Sequence, residues 1–126
     1  MSFKKWLLLI ETSQWPNQMT SDEIFDYVKG LHSYEEDLYE GDLGKRIMRY
    51  PVYVLQLVPI GKIKGHWEVY QPTVDDYASQ FLKSGDYPPI VLQPSFVIID
   101  GTHRYKALVS SNVQSVLAYV GQRAKK

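Results

Sequence analysis

"FVIIDGTHRYKAL", residues 96–108, is the stretch on which the reading of this chain turns. Residues 96–100 are apolar and largely β-branched until Asp100, a pattern that predicts a strand ending on a carboxylate. Gly101 follows, the residue type that lets a backbone turn sharply or approach a ligand closely. The next residues, "HRYKALVSSN", predict a helix with His103 and Arg104 in its first turn. A helix N-terminus presents N–H groups without internal partners and carries partial positive charge, so it attracts anions. Arg104 offers a planar fork suited to phosphate oxygens. His103 can donate to a phosphate or move a proton near neutral pH. Asp100 can accept from a hydroxyl, hold hydrated Mg²⁺ or act as a base. The set fits a nucleotide polyphosphate. A plainer reading stays open: Asp100 caps the helix through the Thr102 or His103 N–H, and Arg104 pairs with a surface acid.

Outward from this turn the pattern is regular. "YPPIVLQP" predicts a strand before it, joined to residues 96–100 by a short turn at Pro94 and Ser95, and "QSVLAYVG" predicts a closing strand after the helix. Upstream, "PVYVLQLVPI" alternates and is rich in β-branched and aromatic residues, so it reads as a strand. "TVDDYASQFLKSG" reads as a helix with Thr73 as N-cap, Asp75 and Asp76 in the first turn, and Gly85 as terminator. Its buried stripe would be Val74, Tyr77, Ala78, Phe81 and Leu82. Lys62 and Lys64 lie in the intervening loop, which could close over phosphates or simply be solvated.

The order β, α, β, β, α, β over residues 51–121 predicts an α+β fold, a small mixed β-sheet with packed helices. Residues 1–50 read as an N-terminal helical extension, too short for a robust core of its own. Within it "TSDEIFDYVKGLH" has capping-box spacing at Thr20 and Glu23, with Ile24, Val28 and Leu31 on one face. "KKWLLLI" fits helix or buried strand equally. Residues 34–50, acidic and then basic, predict broken helix or loop. Residues 122–126 form a basic tail.

Composition narrows the function classes. The 126 residues favour one domain, and 44% apolar content is ordinary for a globular chain. A formal net charge of +0 argues against holding duplex DNA mainly by phosphate neutralisation. The absence of cysteine excludes disulfides, thiolate metal sites and cysteine nucleophiles, and is consistent with a cytoplasmic setting. The longest apolar run, "WLLLI", is far short of a spanning helix, so no membrane is expected as a partner. His32, His66 and His103 lack metal-ligand spacing.

The ordered set "PPIVL", "FVIIDGTHR", "RYKAL" and "SVLAYV" resembles the ParB/sulfiredoxin-like superfamily over about residues 51–121. That resemblance implies that Gly101, Thr102, His103 and Arg104 surround the phosphates of ATP or CTP, with Mg²⁺ as companion. Sulfiredoxins carry a reactive Cys where this chain has Thr102, so sulfinic acid reduction is not expected. ParB proteins carry Gly-Glu-Arg-Arg at this turn, and here Thr102 and His103 replace the Glu and the first Arg. The Asp-Gly-x-His-Arg variant is similar to that of the family's ATP- or ADP-dependent free-serine kinases, in which an upstream glutamate is the base. Glu68 is the glutamate of residues 51–121 and so the candidate base, beside Asp100 and His103 as candidate catalytic groups and Asp100 as metal ligand.

Three functions follow as expectations. One is a nucleotide-dependent phosphotransferase or NTP hydrolase. The second is a plasmid- or phage-associated DNA partition or nuclease-type module, which the neutral charge disfavours. The third is a catalytically inactive, nucleotide-dependent protein that binds a partner through its N-terminal extension.

Overall fold

The computed structural model describes residues 15–31, 42–65, 71–84 and 87–123. In chain order these form β1 (Gln18–Thr20), α1 (Ser21–Leu31), α2 (Asp42–Met48), β2 (Val52–Pro59), a 3-10 turn (Ile60–Lys62), α3 (Gln71–Ser84), β3 (Ile90–Leu92), β4 (Ile98–Asp100), α4 (Thr102–Ser110) and β5 (Ser115–Gln122). The strands make one five-stranded sheet in the order β1-β2-β5-β3-β4. β2 and β5 pair antiparallel along their lengths, from Val52 opposite Gln122 to Pro59 opposite Ser115. β3 runs parallel to β5 and antiparallel to β4. The α+β class and the mixed sheet with packed helices agree with the sequence expectation.

Period-two alternation sorts the sheet residues into two layers. Tyr53, Leu55, Val91, Ile99, Leu117 and Tyr119 face one side, where Ile24 and Val28 of α1 and Ile47 of α2 cover them. Val58, Ile90, Leu92, Ile98, Val116, Ala118 and Val120 face the other, with Leu108 of α4 and, half-buried, Phe81 of α3 against them. The sheet is therefore sandwiched between helix pairs. Its central strands are apolar on both faces for this reason: Val116 to Val120 of β5 are all buried.

Helix α1 begins as its sequence predicts. The Thr20 N–H donates to Glu23 Oε1 at 2.9 Å, and the Glu23 N–H donates to Thr20 Oγ1 at 3.2 Å. This reciprocal box satisfies two orphan donors and contributes about 1 kcal/mol. Three expectations need correction. Helix α3 starts at Gln71, so Thr73 lies inside it and is not its N-cap. Pro72 suits a first turn because it has no N–H to satisfy, and Asp75 accepts from Gln71 Nε2 at 2.9 Å. Leu82 is not part of the buried stripe, being 78% exposed. The strand before the Gly101 turn is shorter than residues 96–100, because Phe96 takes a left-handed conformation (φ 68°). Its N–H donates to the Gln93 carbonyl at 2.8 Å, which closes the turn over Pro94 and Ser95. Gly85 and residues 1–14 fall outside the described residues, as does the acidic part of the 34–50 segment.

Strand β1 has no counterpart in the sequence reading, which made residues 1–50 helical. It pairs with β2 through Gln18 opposite Val54 and Thr20 opposite Val52, so this segment joins the sheet of the core.

Three tyrosines tie the layers together. Tyr53 donates to the Ile47 carbonyl at 2.8 Å, Tyr119 to the Pro16 carbonyl at 2.7 Å, and Tyr27 to the Pro89 carbonyl at 2.6 Å. Burial pushes the Tyr119 phenol up to about 12 and raises those of Tyr27 and Tyr53 further. The unfolded chain ionises its tyrosines near pH 10, while the folded chain keeps these protonated. Their contribution is thus fully present below pH 10 and is lost as pH rises toward 12, at up to about 1.4 kcal/mol per pH unit for each group. Urea unfolding followed at pH 8, 10 and 11 should show stability falling steeply only above pH 10. Ionisation of Tyr27, Tyr53 and Tyr119, read by ultraviolet absorbance, should coincide with unfolding. A free titration of these tyrosines in the folded protein would contradict their placement.

Candidate functional site

The turn at residues 100–104 lies where β4 hands over to α4. Its geometry is set by a bulge. Val91 pairs with Asp100 and Leu92 with Ile98, so one step along β3 matches two along β4. Ile99 is the extra residue. A bulge re-aims the side chains that follow it. Asp100 therefore lies opposite Val91, whose side chain belongs to the α1 layer, instead of sharing the face of Ile98. Directly opposed residues share a face.

Gly101 comes next at φ 108°, ψ 25°, and is the N-cap of α4. A Cβ there would lie 2.6 Å from Ile90 Cγ2 and 2.7 Å from Arg104 Nη2. The missing side chain thus makes room for Ile90 and for the Arg104 guanidinium, which folds back over the glycine. Arg104 Nη2 donates to Asp100 Oδ2 at 2.9 Å, with the two residues 3% and 8% exposed. The expectation that Arg104 pairs with an acid is realised, but the pair is internal and not on the surface. Arg104 Nη1 is buried with no hydrogen-bond partner among the described residues.

Gly101 occupies the N-cap position of α4 and has no side chain to cap it with. The first N–H bonded within the helix is that of Tyr105, to the Gly101 carbonyl at 2.8 Å. The amides of Thr102, His103 and Arg104 precede it and have no partner in the helix ladder. Thr102 and His103 are half-buried, on the solvent side of the turn. The turn thus has two layers: amides with Thr102 and His103 outside, and the Asp100–Arg104 pair beneath.

Of the residues singled out in the sequence, Asp100, Gly101, Thr102, His103 and Arg104 are brought together here. Glu68 and His66 lie outside the described residues. Lys64 is pinned at the sheet edge, its N–H bonded to the Phe96 carbonyl at 3.0 Å and its own carbonyl to the Ile98 N–H at 2.9 Å. Asp75 and Asp76 are exposed on α3 and, because that helix runs from Gln71, lie beyond its first turn and not in it as the sequence suggested. No group of three or more His, Cys, Asp or Glu side chains with metal-site geometry occurs among the described residues. None of their helices is long and apolar enough to cross a membrane.

The sequence reading missed two residues near the turn. Arg46 of α2 donates through Nη2 to the Ile98 carbonyl at 2.8 Å, tying α2 to β4. Tyr27 of α1 donates to the carbonyl of Pro89, next to Ile90. Its position was legible in principle: spacing of three from Ile24 puts Tyr27 beside the apolar stripe of α1. A cleft of about 430 Å³, lined in part by Gln56, Phe96, Gln122 and Arg123, opens at the opposite end of the sheet and includes no residue of this turn.

No family model matches the chain, and no curated protein matches it. Solved structures do. A Pnob8-like ParB-N domain superposes with a TM-score of 0.50 at 18% identity, covering 57% of this chain and 31% of that one. Sulfiredoxin from Arabidopsis thaliana superposes with a TM-score of 0.50 at 17% identity, covering 56% of this chain and 86% of that one. At these identities the likeness concerns architecture alone, and it agrees with the sheet and the strand-turn-helix described above. The protein has a ParB/sulfiredoxin-like fold.

Proposed function

We propose that the protein binds a nucleotide, ATP, CTP or ADP, by its phosphates at the turn of residues 100–104. The observation that carries this reading is the N-terminus of α4, entered through a glycine, with a buried guanidinium under it, one of whose nitrogens lacks a hydrogen-bond partner among the described residues. The backbone amides would bind phosphate oxygens, and Thr102 and His103 would donate from the outer side. The Asp100–Arg104 pair is nearly neutral as a unit. Attraction therefore rests mainly on the amides, the helix dipole and His103, with Arg104 placing its positive end toward the turn. Asp100 would be the residue to hold Mg²⁺, which would offset the charge of the phosphates, and its carboxylate already pairs with Arg104.

This commitment of Asp100 favours binding over catalysis by that carboxylate. Phosphotransfer or hydrolysis would fall to His103 and Glu68, and a protein that binds nucleotide without turning it over is the second reading. Association with DNA or with a protein partner through residues 1–50 would then be controlled by nucleotide occupancy.

The test is thermal unfolding with ATP, ADP, CTP or GTP and Mg²⁺. A nucleotide at ten times its Kd stabilises the folded state by about 1.4 kcal/mol, a shift of a few degrees. The variant His103→Glu should keep its fold, since an acid suits a helix first turn, yet lose the shift because it repels phosphate. Phosphate release by the wild type then separates an enzyme from a binding protein. No shift with any nucleotide at millimolar concentration would end this reading.

A further inference from the structure

The cleft of about 430 Å³ at the other end of the sheet has a lining that packing alone does not call for. One wall is the hairpin loop of residues 94–96. The Phe96 N–H closes it on the Gln93 carbonyl at 2.8 Å, and the Gln93 N–H bonds the Val97 carbonyl at 2.9 Å. A three-residue hairpin loop commonly ends on a left-handed residue, and glycine is the type that takes this conformation without strain. This chain places a phenylalanine there, at φ 68°. Backbone strain kept for the sake of a side chain points to a use for that side chain. The Phe96 ring packs in part against the α4-side core, to which Val120 belongs, and both residues line the cleft. Arg123 at the rim is exposed and has no acidic partner among the described residues. Gln56 is half-buried, and its carboxamide makes no hydrogen bond among them. Gln122 Nε2 donates to the Val120 carbonyl at 2.9 Å, which holds that side chain in place. No carboxylate lines the cleft.

We propose that this cleft binds a small aromatic carboxylate, with its ring against Phe96 and Val120 and its carboxylate on Arg123. A guanidinium offers a carboxylate two parallel N–H donors, and the Gln56 carboxamide adds a further donor. An exposed ion pair alone is weak, so the ring contact must supply the rest of the affinity. The volume lies within the range of roughly 300–1,000 Å³ that small ligands occupy. A cation, free amide groups and an aromatic wall, with no acid among them, select for negative charge on a flat apolar body. The proposal stands apart from the nucleotide reading, since no residue of the 100–104 turn lines the cleft.

The experiment titrates the full chain with benzoate and follows backbone amides by NMR. Benzamide supplies the same ring without the charge, and acetate the charge without the ring. Benzoate should give saturable shifts at Phe96, Val120, Gly121, Gln122 and Arg123, and both controls should bind about tenfold or more weakly. Arg123→Gln changes an exposed residue, so the fold should persist while benzoate affinity falls about tenfold or more. Phe96→Gly keeps a residue that the loop conformation suits and removes the ring, and it should weaken benzoate to a similar degree. Unsaturated shifts at millimolar benzoate would overturn the proposal, as would shifts confined to Thr102, His103 and Arg104. Benzamide binding as tightly as benzoate, or an unchanged affinity in Arg123→Gln, would overturn it as well.

Discussion

Arg104→Ala should destabilise the protein by about 3–5 kcal/mol, the cost of stranding a buried charge. The reason is the partner left behind. Asp100 is 8% exposed, and its carboxylate would lose the cation 2.9 Å away while remaining between β4 and the covering helices. Arg104→Lys keeps the charge but replaces a flat fork with a point charge on a flexible stem, so it should recover only part of the loss. Replacing both members with apolar residues of similar size, Asp100→Leu with Arg104→Met, should cost far less than Arg104→Ala alone. Removing a pair also removes its desolvation penalty, whereas removing one member exposes it. Urea unfolding of the three variants decides the matter. A loss below about 1 kcal/mol for Arg104→Ala, the level of an exposed pair, would show that the pair is not buried as described.

Gly101→Ala is the second large effect. Two costs combine: the left-handed conformation at φ 108° costs an L residue about 1–2 kcal/mol, and forcing a methyl into a filled space costs about 1–3 kcal/mol more. The methyl has nowhere to go, since Ile90 Cγ2 would be 2.6 Å away and belongs to a fully buried side chain. Arg104 Nη2, at 2.7 Å, could yield only by weakening its bond to Asp100. Gly61→Ala is the control, because a Cβ at Gly61 meets nothing within 4 Å. That substitution should be neutral or slightly stabilising, by lowering the entropy of the unfolded chain. Equal stabilities for the two alanine variants would refute the close packing at the turn.

These two variants concern the same few atoms, and they change what Gly101 is for. In the sequence it reads as room for a ligand. In the fold the room on its side-chain face is taken by Ile90 and Arg104, so only the amide side of the turn faces outward to an anion. The His103→Glu variant tests that outward side, while Gly101→Ala and Arg104→Ala test the packing beneath.

Much of this architecture could be read in the chain because it depends on local chemistry. The alternation of 52–59 and the continuous apolar run of 116–120 are the imprint of strands with one partly open or two covered faces. Thr20 and Glu23 form their box because both partners lie within one turn. A strand ending at Asp100, a glycine at the bend and a helix from Thr102 follow from residue type alone. What remained hidden was non-local. β1 is three residues, "QMT", with no periodicity to detect, and becomes a strand only because β2 offers it an edge. Leu82 fits the apolar stripe of its helix by spacing, yet no element among the described residues covers it.

The sequence by itself determined which residues meet at the turn, since Asp100 to Arg104 are neighbours in the chain and a strand-to-helix bend must bring them together. Only the tertiary structure decided which way they face. The bulge at Ile99 depends on register with β3, and that register turns Asp100 toward α1. A carboxylate removed from water needs an opposite charge close by, and Arg104 supplies it at 2.9 Å. The guanidinium accordingly lies beneath the turn, folded back over Gly101 and against Ile90 of β3, a placement that no local pattern encodes.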